Sequence, residues 1–178
     1  MRDVTKEIFL NTLVCPTLGW VLRNEDVSGQ NDSDEQSAGE RFRKEQGIEI
    51  GRRARSLYPE GILVSSPHFA SNCRRTEEFL SDSSTSSIFE GAFQIGVFRA
   101  RADILIRHSE TWKVCEVKSN ANLKPELVDD LAYTAMVLGR YGLNISSTFL
   151  LLISGDHRLG MDNEHLFVES DLTEEVIG

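Results

Sequence analysis

The chain has few cysteines, and their spacing does not suggest a bonded framework. The 178 residues include three, Cys15, Cys73 and Cys115, and no two of them have C-x-x-C spacing. An odd number without such spacing argues against a disulfide framework and against a self-contained zinc site. We therefore expect the protein to work in a reducing compartment, the cytoplasm.

Long apolar runs are also missing. No stretch reaches the ~18 consecutive apolar residues that a membrane-spanning helix needs. At the N-terminus, Asp3 and Glu7 interrupt any signal-peptide pattern. We therefore expect no membrane partner and no secretory leader.

An excess of positive charge is the third absence. The chain has 19 Lys and Arg against 28 Asp and Glu, a formal net charge of −9. Such a balance argues against a strongly basic, non-specific nucleic-acid binder, although the hypothesis of an enzyme with local basic groups stays open.

With 40% hydrophobic residues the chain can bury one core, and we predict a single domain over residues 1–178. Residues 24–37 are acidic and rich in turn formers, which predicts a mobile acidic loop.

The most informative stretch predicts a β-hairpin. Residues 97–107 (VFRARADILIR) and 111–118 (TWKVCEVK) are rich in β-branched and aromatic side chains, with a polar step between them. A turn centred between Ser109 and Glu110 places Asp103 opposite Glu116. Because side chains alternate between the faces of a strand, one face is predicted to be apolar and the other to carry the charged groups. The apolar set is Ala100, Ala102, Ile104, Ile106, Cys115 and Val117, and the charged set is Asp103, Glu116 and Lys118.

Two carboxylates placed opposite each other on a sheet repel, so a cation should hold them together. Mg²⁺ or Mn²⁺ suits a site with one or two carboxylates and open positions for water and phosphate. Lys118 would project beside that ion, where it could orient an attacking water or stabilise phosphate charge. The alternative is a solvated face on which Arg101, Asp103, Glu116 and Lys118 form surface ion pairs.

The other predicted elements place this hairpin in a mixed sheet. Helices are predicted over residues 5–23 with a break at Cys15-Pro16, and over residues 39–57, 74–80 and 125–141. Strands are predicted at 62–64 and 87–95, and the apolar run at 148–153 predicts a strand buried on both faces. A meander followed by a helical crossover gives an α/β fold, or α+β by a stricter naming, with helices flanking the sheet.

This order of elements, with Asp103 on the second core strand and Glu116-Val117-Lys118 on the third, resembles the PD-(D/E)XK nuclease superfamily. Within it the chain is similar to the RecB-like branch, which includes CRISPR-associated exonucleases, and to a bacterial domain of uncharacterised function in that branch. Further similar stretches cover nearly the whole chain: Leu13-Val14-Cys15-Pro16 with Trp20, Gln46-Gly47 through Gly51, Ala54 to Tyr58-Pro59, Phe89-Glu90, Asp129-Asp130-Leu131-Ala132-Tyr133, Leu166-Phe167 and Asp171-Leu172-Thr173-Glu174-Glu175.

The resemblance implies a restriction-endonuclease-like α-β-β-β-α-β core and metal-dependent hydrolysis of DNA phosphodiester bonds, in DNA repair or in defence against phages. It implies that Asp103 and Glu116 bind Mg²⁺ or Mn²⁺ with the carbonyl of Val117, and that Lys118 is the catalytic lysine. Glu90 is either a further ligand or an acid at a strand edge. Arg99, Arg101 and Tyr133 are the candidate contacts to single- or double-stranded DNA, and a homo-oligomer or a larger nuclease complex is the candidate assembly.

Three features depart from the RecB-like pattern. Ile48 stands where a metal-binding His is usual, with Glu49 beside it, and Thr134 stands where a Gln is usual. Relatives hold an iron–sulfur cluster with one N-terminal and three C-terminal cysteines, but such a cluster needs four thiolates and this chain has three. We therefore expect no complete cluster, and Cys15 either belongs to a longer protein or is a small buried hydrophobe. These departures leave a second hypothesis open, a catalytically weak nuclease-fold module that binds nucleic acid or a protein.

Overall fold

A computed structural model describes residues 1–25, 37–158 and 160–178. The predicted acidic loop at 24–37 lies almost wholly outside these residues. The elements in chain order are α1 (Lys6–Val14), α2 (Pro16–Asn24), α3 (Ala38–Arg55), β1 (Ile62–Leu63), α4 (Phe69–Ser81), β2 (Ser87–Ile95), β3 (Phe98–His108), β4 (Thr111–Val117), α5 (Pro125–Tyr141), β5 (Ile145–Ile153), a 3₁₀ turn (Asn163–Leu166), β6 (Phe167–Asp171) and α6 (Thr173–Ile177). Within these ranges no helix combines the length and the apolar character needed to cross a bilayer.

The six strands form one mixed sheet in the order β1-β2-β3-β4-β5-β6. The β2-β3-β4 meander is antiparallel, and β4 and β5 are parallel because α5 crosses over between them. The edge strands differ: β1 runs parallel to β2, and β6 runs antiparallel to β5. The predicted α/β class, with a mixed sheet flanked by helices, is confirmed. The pattern did not predict β6, a short edge strand (FVESD) without the alternation of a half-buried strand.

Two apolar clusters lie on the two faces of the sheet. The larger one packs α5 against the strands through Leu131, Val137 and Leu138. The smaller one gathers beside Ala54 of α3 and includes Phe149. Strand β5 contributes to both clusters, Leu150 and Leu152 to the larger and Phe149 and Leu151 to the smaller, so the predicted strand buried on both faces is confirmed.

The hairpin register agrees with its prediction over the pairs that β3 and β4 form. Ile104 pairs with Cys115, and His108 pairs with Thr111 across the turn, where Ser109 has φ +55°. Both pairs follow from a turn centred between Ser109 and Glu110. A hairpin register is set by turn geometry and side-chain alternation, and both signals were visible in the sequence.

The predicted single apolar face of β3 is wrong. Ala100 and Ala102 pack in the larger cluster, whereas Ile104 packs in the smaller one on the other side of the sheet. The change of face falls at Asp103, next to Glu90 of β2, whose φ is +57°. β2 and β3 keep the same pairing register on both sides of this point. Both strands therefore exchange the side chains that face the two sides of the sheet here. A left-handed backbone at a non-glycine residue is uncommon and costs of order 1–3 kcal/mol, and such residues cluster at functional sites.

Tyr133 holds the N-terminal segment against the sheet. Its hydroxyl donates to the carbonyl of Val4 at 2.6 Å and to that of Arg99 at 3.0 Å. Val4 also forms an isolated bridge to Phe98 of β3, which sets where α1 begins. Tyr133 is 1% exposed, so the predicted contact between its side chain and nucleic acid is wrong. The reason is the rotation of α5, which turns this residue toward α1 and the sheet.

We expect Tyr133→Phe to lower the free energy of unfolding by about 1–2 kcal/mol, because the hydroxyl shares its one proton between two part-buried carbonyl groups. Urea denaturation measures the change. Tyr141→Phe on the same helix is the control, since the Tyr141 ring packs edge-on against Phe93 and keeps that contact without its hydroxyl. Equal stabilities of the wild type and Tyr133→Phe would contradict the anchoring role.

Candidate active site

The site lies where β3 and β4 separate. Their pairing ends at Ile104 and Cys115, one step before Asp103 and Glu116 would pair. Beyond this pair, Oδ2 of the Asp103 carboxylate replaces a backbone carbonyl as hydrogen-bond acceptor and accepts the N–H of Val117 at 2.8 Å. The two acids therefore come together at the open end of the hairpin, with a side chain in the place of a ladder bond.

Glu116 is a buried carboxylate with both oxygens engaged. Its side chain is 1% exposed. Oε1 accepts the hydroxyl of Thr134 at 2.9 Å, and Oε2 lies 2.9 Å from Lys6 Nζ and 3.4 Å from Lys118 Nζ. Burial, together with the nearby charge of Asp103, raises the pKa of Glu116 to about 7 in spite of the two ammonium groups. Glu116 is therefore a carboxylate whose ionised form needs cations beside it.

Asp130 of α5 connects the two lysines. Its Oδ1 lies 2.6 Å from Lys6 Nζ, and its Oδ2 accepts a short hydrogen bond from Lys118 Nζ. Burial alone would raise the pKa of Asp130, but the charges of Lys6 and Lys118 outweigh it and hold that pKa below its usual value. For Lys118 the signs reverse: burial would lower its pKa, while Glu116 and Asp130 raise it. The lysines are thus held as ammonium ions.

Among the described residues, this network sets three carboxylates against two ammonium groups. Asp103, Glu116 and Asp130 supply the negative charge, and Lys6 and Lys118 supply the positive charge. Burial raises the pKa of Asp103 too, despite its bond to the Val117 amide and the nearby lysines. Isolated buried charges are costly, so such a cluster gains from a further cation.

A cleft of about 270 Å³ opens beside Asp103. It is lined by Asp103, Glu90, Ile104, Val117 and Lys118 from the sheet side, and by Gly47, Gly51 and Arg55 from α3. Burial raises the pKa of Glu90, which lies 3.5 Å from Arg55, although the charge of that arginine opposes the rise. Glu90 and Asp103 therefore line the same cleft.

The helix face that borders this cleft differs from the prediction. Ile48, assigned to the position of the RecB-like histidine, is 62% exposed. The cleft is instead lined by Gly47 and Gly51, one turn apart, and a Cβ at either position would meet no atom within 4 Å. Glu49 is held by Arg52 and Arg53 on the helix surface, each at 2.8 Å. The α3 side of the cleft therefore offers open space where the branch has a ligand.

A second cleft of about 490 Å³ shares Glu90 and Asp103 with the first. Its other lining residues include Lys6, Phe69, Arg99 and Arg101. The guanidinium carbon of Arg99 lies 4.9 Å from the centre of the Phe69 ring, and that of Arg101 lies 5.8 Å from it. Arg99 is also paired with Asp3 at 2.6 Å. Two of the three residues predicted to contact nucleic acid thus line a groove that leads to the carboxylates.

Lys6 and Asp130 are the site residues that sequence reasoning missed. Asp130 had a signal, because an acid four residues before Thr134 lies on the otherwise apolar stripe of α5. Lys6 had none, since α1 meets β4 and α5 only through the tertiary fold. Thr134 was noted as a missing Gln, yet its hydroxyl binds Glu116 directly.

The cysteines lie on separate elements. Cys115 is buried in the smaller cluster, as predicted, and Cys73 is half-buried on α4. Cys15 is exposed, so its interpretation as a small buried hydrophobe is wrong. It links α1 to α2, where Pro16 starts a new helix at the surface.

Oxygen ligands in this site suit a hard divalent cation. Within the described part of the chain, no three or more His, Cys, Asp and Glu side chains form a ready metal cage. Mg²⁺, however, is commonly held by one or two carboxylates, with waters and substrate phosphate completing its shell. Asp103 and Glu116 supply that number, and the surplus of carboxylates over ammonium groups supplies the charge. The residues present therefore fit such an ion.

Comparison with known proteins gives no assignment, since neither the models of protein families nor the curated proteins include a match to this chain.

We expect Thr134→Val to lower the free energy of unfolding in EDTA by about 1.5–3 kcal/mol, because a buried carboxylate loses a hydrogen bond. Chemical denaturation measures it. Thr85→Val is the matched control: the Thr85 hydroxyl is also buried but has no hydrogen-bond partner among the described residues, so this change should be nearly neutral. A loss for Thr85→Val as large as that for Thr134→Val would contradict the account.

Proposed function

We propose that this protein is a Mg²⁺- or Mn²⁺-dependent nuclease that hydrolyses DNA phosphodiester bonds in the cytoplasm. The observation that carries the proposal is the pair of half-buried Asp103 and buried Glu116, with Lys118 beside it, at the open end of the β3–β4 hairpin. The resemblance to PD-(D/E)XK nucleases assigns these three positions to the same chemistry. The mixed sheet, with α5 crossing from β4 to β5, is the framework that this assignment needs.

Asp103 and Glu116 would hold the metal ion, with the Val117 carbonyl and Glu90 as further candidate ligands. When bound, a divalent ion lowers the pKa of a coordinated water and neutralises charge on the phosphate. Lys118 follows β4 directly, and its backbone N–H is fixed by Leu151 of β5 at 2.9 Å. Glu116 and Asp130 keep Lys118 as an ammonium ion, so it acts as a charged hydrogen-bond donor to the water or the phosphate. A role as a general base does not fit these surroundings.

The second cleft is the proposed path of the nucleic acid. Phosphate groups are bound chiefly by Arg and Lys, and these contacts position the strand independently of its sequence. Arg101 and Lys6 line the cleft next to Asp103. Phe69 adds an apolar surface beside the arginines. The enzyme would therefore bind DNA through Lys6, Arg99 and Arg101 of this cleft, which also contains the acids Glu7, Glu90 and Asp103.

The second candidate function is a nuclease-fold module that binds nucleic acid or a protein and hydrolyses little. Two observations favour it: Lys6 already neutralises Oε2 of Glu116, and α3 presents Gly47 and Gly51 to the cleft instead of a ligand. The two functions differ in whether a divalent ion binds at Glu116 and whether cleavage follows.

For the nuclease, Mn²⁺ should raise the melting temperature. At about 100 times its dissociation constant, a ligand that binds only the folded state adds about 2.7 kcal/mol, which for a chain of this size corresponds to roughly 5–10 °C. Glu116→Gln keeps the shape and the Thr134 contact but removes the ligand charge, so its melting temperature should not respond. Scanning calorimetry with and without Mn²⁺ measures both.

The control for this measurement is Glu45→Gln, at an exposed position of α3, which should respond to Mn²⁺ as the wild type does. A shift of the same size in Glu116→Gln would place the ion elsewhere. No shift in any of the three proteins would favour the binding module.

Cleavage of labelled single- and double-stranded DNA should require Mn²⁺ or Mg²⁺ and Lys118. We expect Lys118→Met to lower the rate by about 10²-fold or more, because a donor aimed at developing charge is lost from a buried site. Lys113→Met, on the same strand but opposite Ile106 in the ladder, should cleave like the wild type. Undiminished cleavage by Lys118→Met, purified identically, would mean that the activity comes from another site or a contaminant.

A further inference from the structure

Lys6 has no place in the proposed set of Asp103, Glu116 and Lys118, yet it forms close ion pairs with both neighbouring carboxylates, through the Asp130 oxygen other than the one that pairs with Lys118. Its ammonium nitrogen lies 2.9 Å from Glu116 Oε2 on β4 and 2.6 Å from Asp130 Oδ1 on α5. Only a quarter of its side chain is exposed. A single positive charge thus bridges two acids from different elements, which is the arrangement that a bridging metal ion also has.

We propose that the Lys6 ammonium takes the place of a second metal ion, so that the site binds one divalent cation. This inference rests on the proposed function, since it concerns the number of ions that the same carboxylates hold. Two-metal sites place their ions about 3.5–4 Å apart and share carboxylates between them. Here the shared position between Glu116 and Asp130 holds a fixed charge, and a second divalent ion at that position would be repelled by it.

The backbone around Lys6 shows that its position is built into the fold. Two residues earlier, the N–H of Val4 donates to the Val97 carbonyl at 2.7 Å, and the Val4 carbonyl accepts the N–H of Arg99 at 2.9 Å. Tyr133 donates to the same carbonyl, and Thr5 caps α1 by accepting the N–H of Ile8 at 3.4 Å. The start of α1 is therefore tied to β3 and α5, so the Lys6 side chain leaves from a fixed point.

Lys6 also lines the second cleft, beside Arg101 and Asp103. Its ammonium group can therefore stabilise negative charge on the phosphate, the part that a second ion plays in two-metal nucleases. It transfers no proton in this role, because Glu116 and Asp130 both favour the charged form. Of the two cations next to the phosphate, the Lys6 ammonium would then be present at any metal concentration, and only the divalent ion would depend on it.

Isothermal titration with Mn²⁺ tests the stoichiometry in four proteins: wild type, Lys6→Arg, Lys6→Ala and the double variant Lys6→Ala/Asp130→Asn. The wild type and Lys6→Arg should bind one ion, since both keep the charge. Lys6→Ala opens the position between Glu116 Oε2 and Asp130 Oδ1, while Lys118 keeps Asp130 Oδ2. This variant should bind two ions, with a spin-coupled Mn²⁺ pair in its electron paramagnetic resonance spectrum. Removing the Asp130 charge as well should restore one ion and abolish the coupling.

The outcomes separate this inference from the proposed function. Two ions in the wild type, or one ion in Lys6→Ala without spin coupling, would overturn the role of Lys6 while leaving a metal-dependent nuclease intact. No Mn²⁺ binding to the wild type or to Lys6→Ala would overturn both. Should Lys6→Ala not fold, the wild type and Lys6→Arg still decide, because a count of two in either contradicts a fixed cation. Glu116→Gln corrects for ions bound elsewhere on the surface.

Discussion

The structure depends on how buried negative charge is compensated around Glu116. Three carboxylates from β3, β4 and α5 come together, and the ammonium groups of Lys6 and Lys118 compensate much of their charge. Removing one partner of a buried ion pair typically costs about 3–5 kcal/mol, because the other charge is left without compensation. The network therefore connects α1, the end of β4 and α5, and the loss of one member leaves its partners uncompensated. It also leaves a surplus of carboxylates, and this is the property that a cation site needs.

The backbone departs from regular sheet geometry around the same point. Glu90 adopts a left-handed conformation, and β2 and β3 both change face at Asp103. The β3–β4 ladder ends at Ile104 and Cys115, one step before Asp103 and Glu116 would pair. The N–H of Val117 is satisfied by the Asp103 carboxylate instead of a strand partner. The sheet is regular where it holds the core, and its irregular part brings the acids and the two clefts together.

Sequence reasoning was most successful where local signals determine structure. Turn position and alternation gave the hairpin register, and Pro125 and Gly142 bounded α5 correctly. It failed where the structure depends on the rotation of a helix about its axis or on a contact between residues far apart in the sequence. No local pattern predicts a positive φ at a glutamate, the burial of Tyr133, or the choice of Gly47 and Gly51 over Ile48 as the cleft-facing positions. The approach of Lys6 depends on the whole fold, so a local pattern could not place it beside Asp130.

The central claim is that a divalent ion belongs between Asp103 and Glu116, and the most direct measurement is a crystal structure of the protein soaked in millimolar Mn²⁺, with data collected at the manganese absorption edge. The account predicts one anomalous peak in contact with both carboxylates, with Lys118 beside it and Lys6 still paired with Asp130. Absence of a peak at this position, with Glu116 still bound by both lysines, would contradict it.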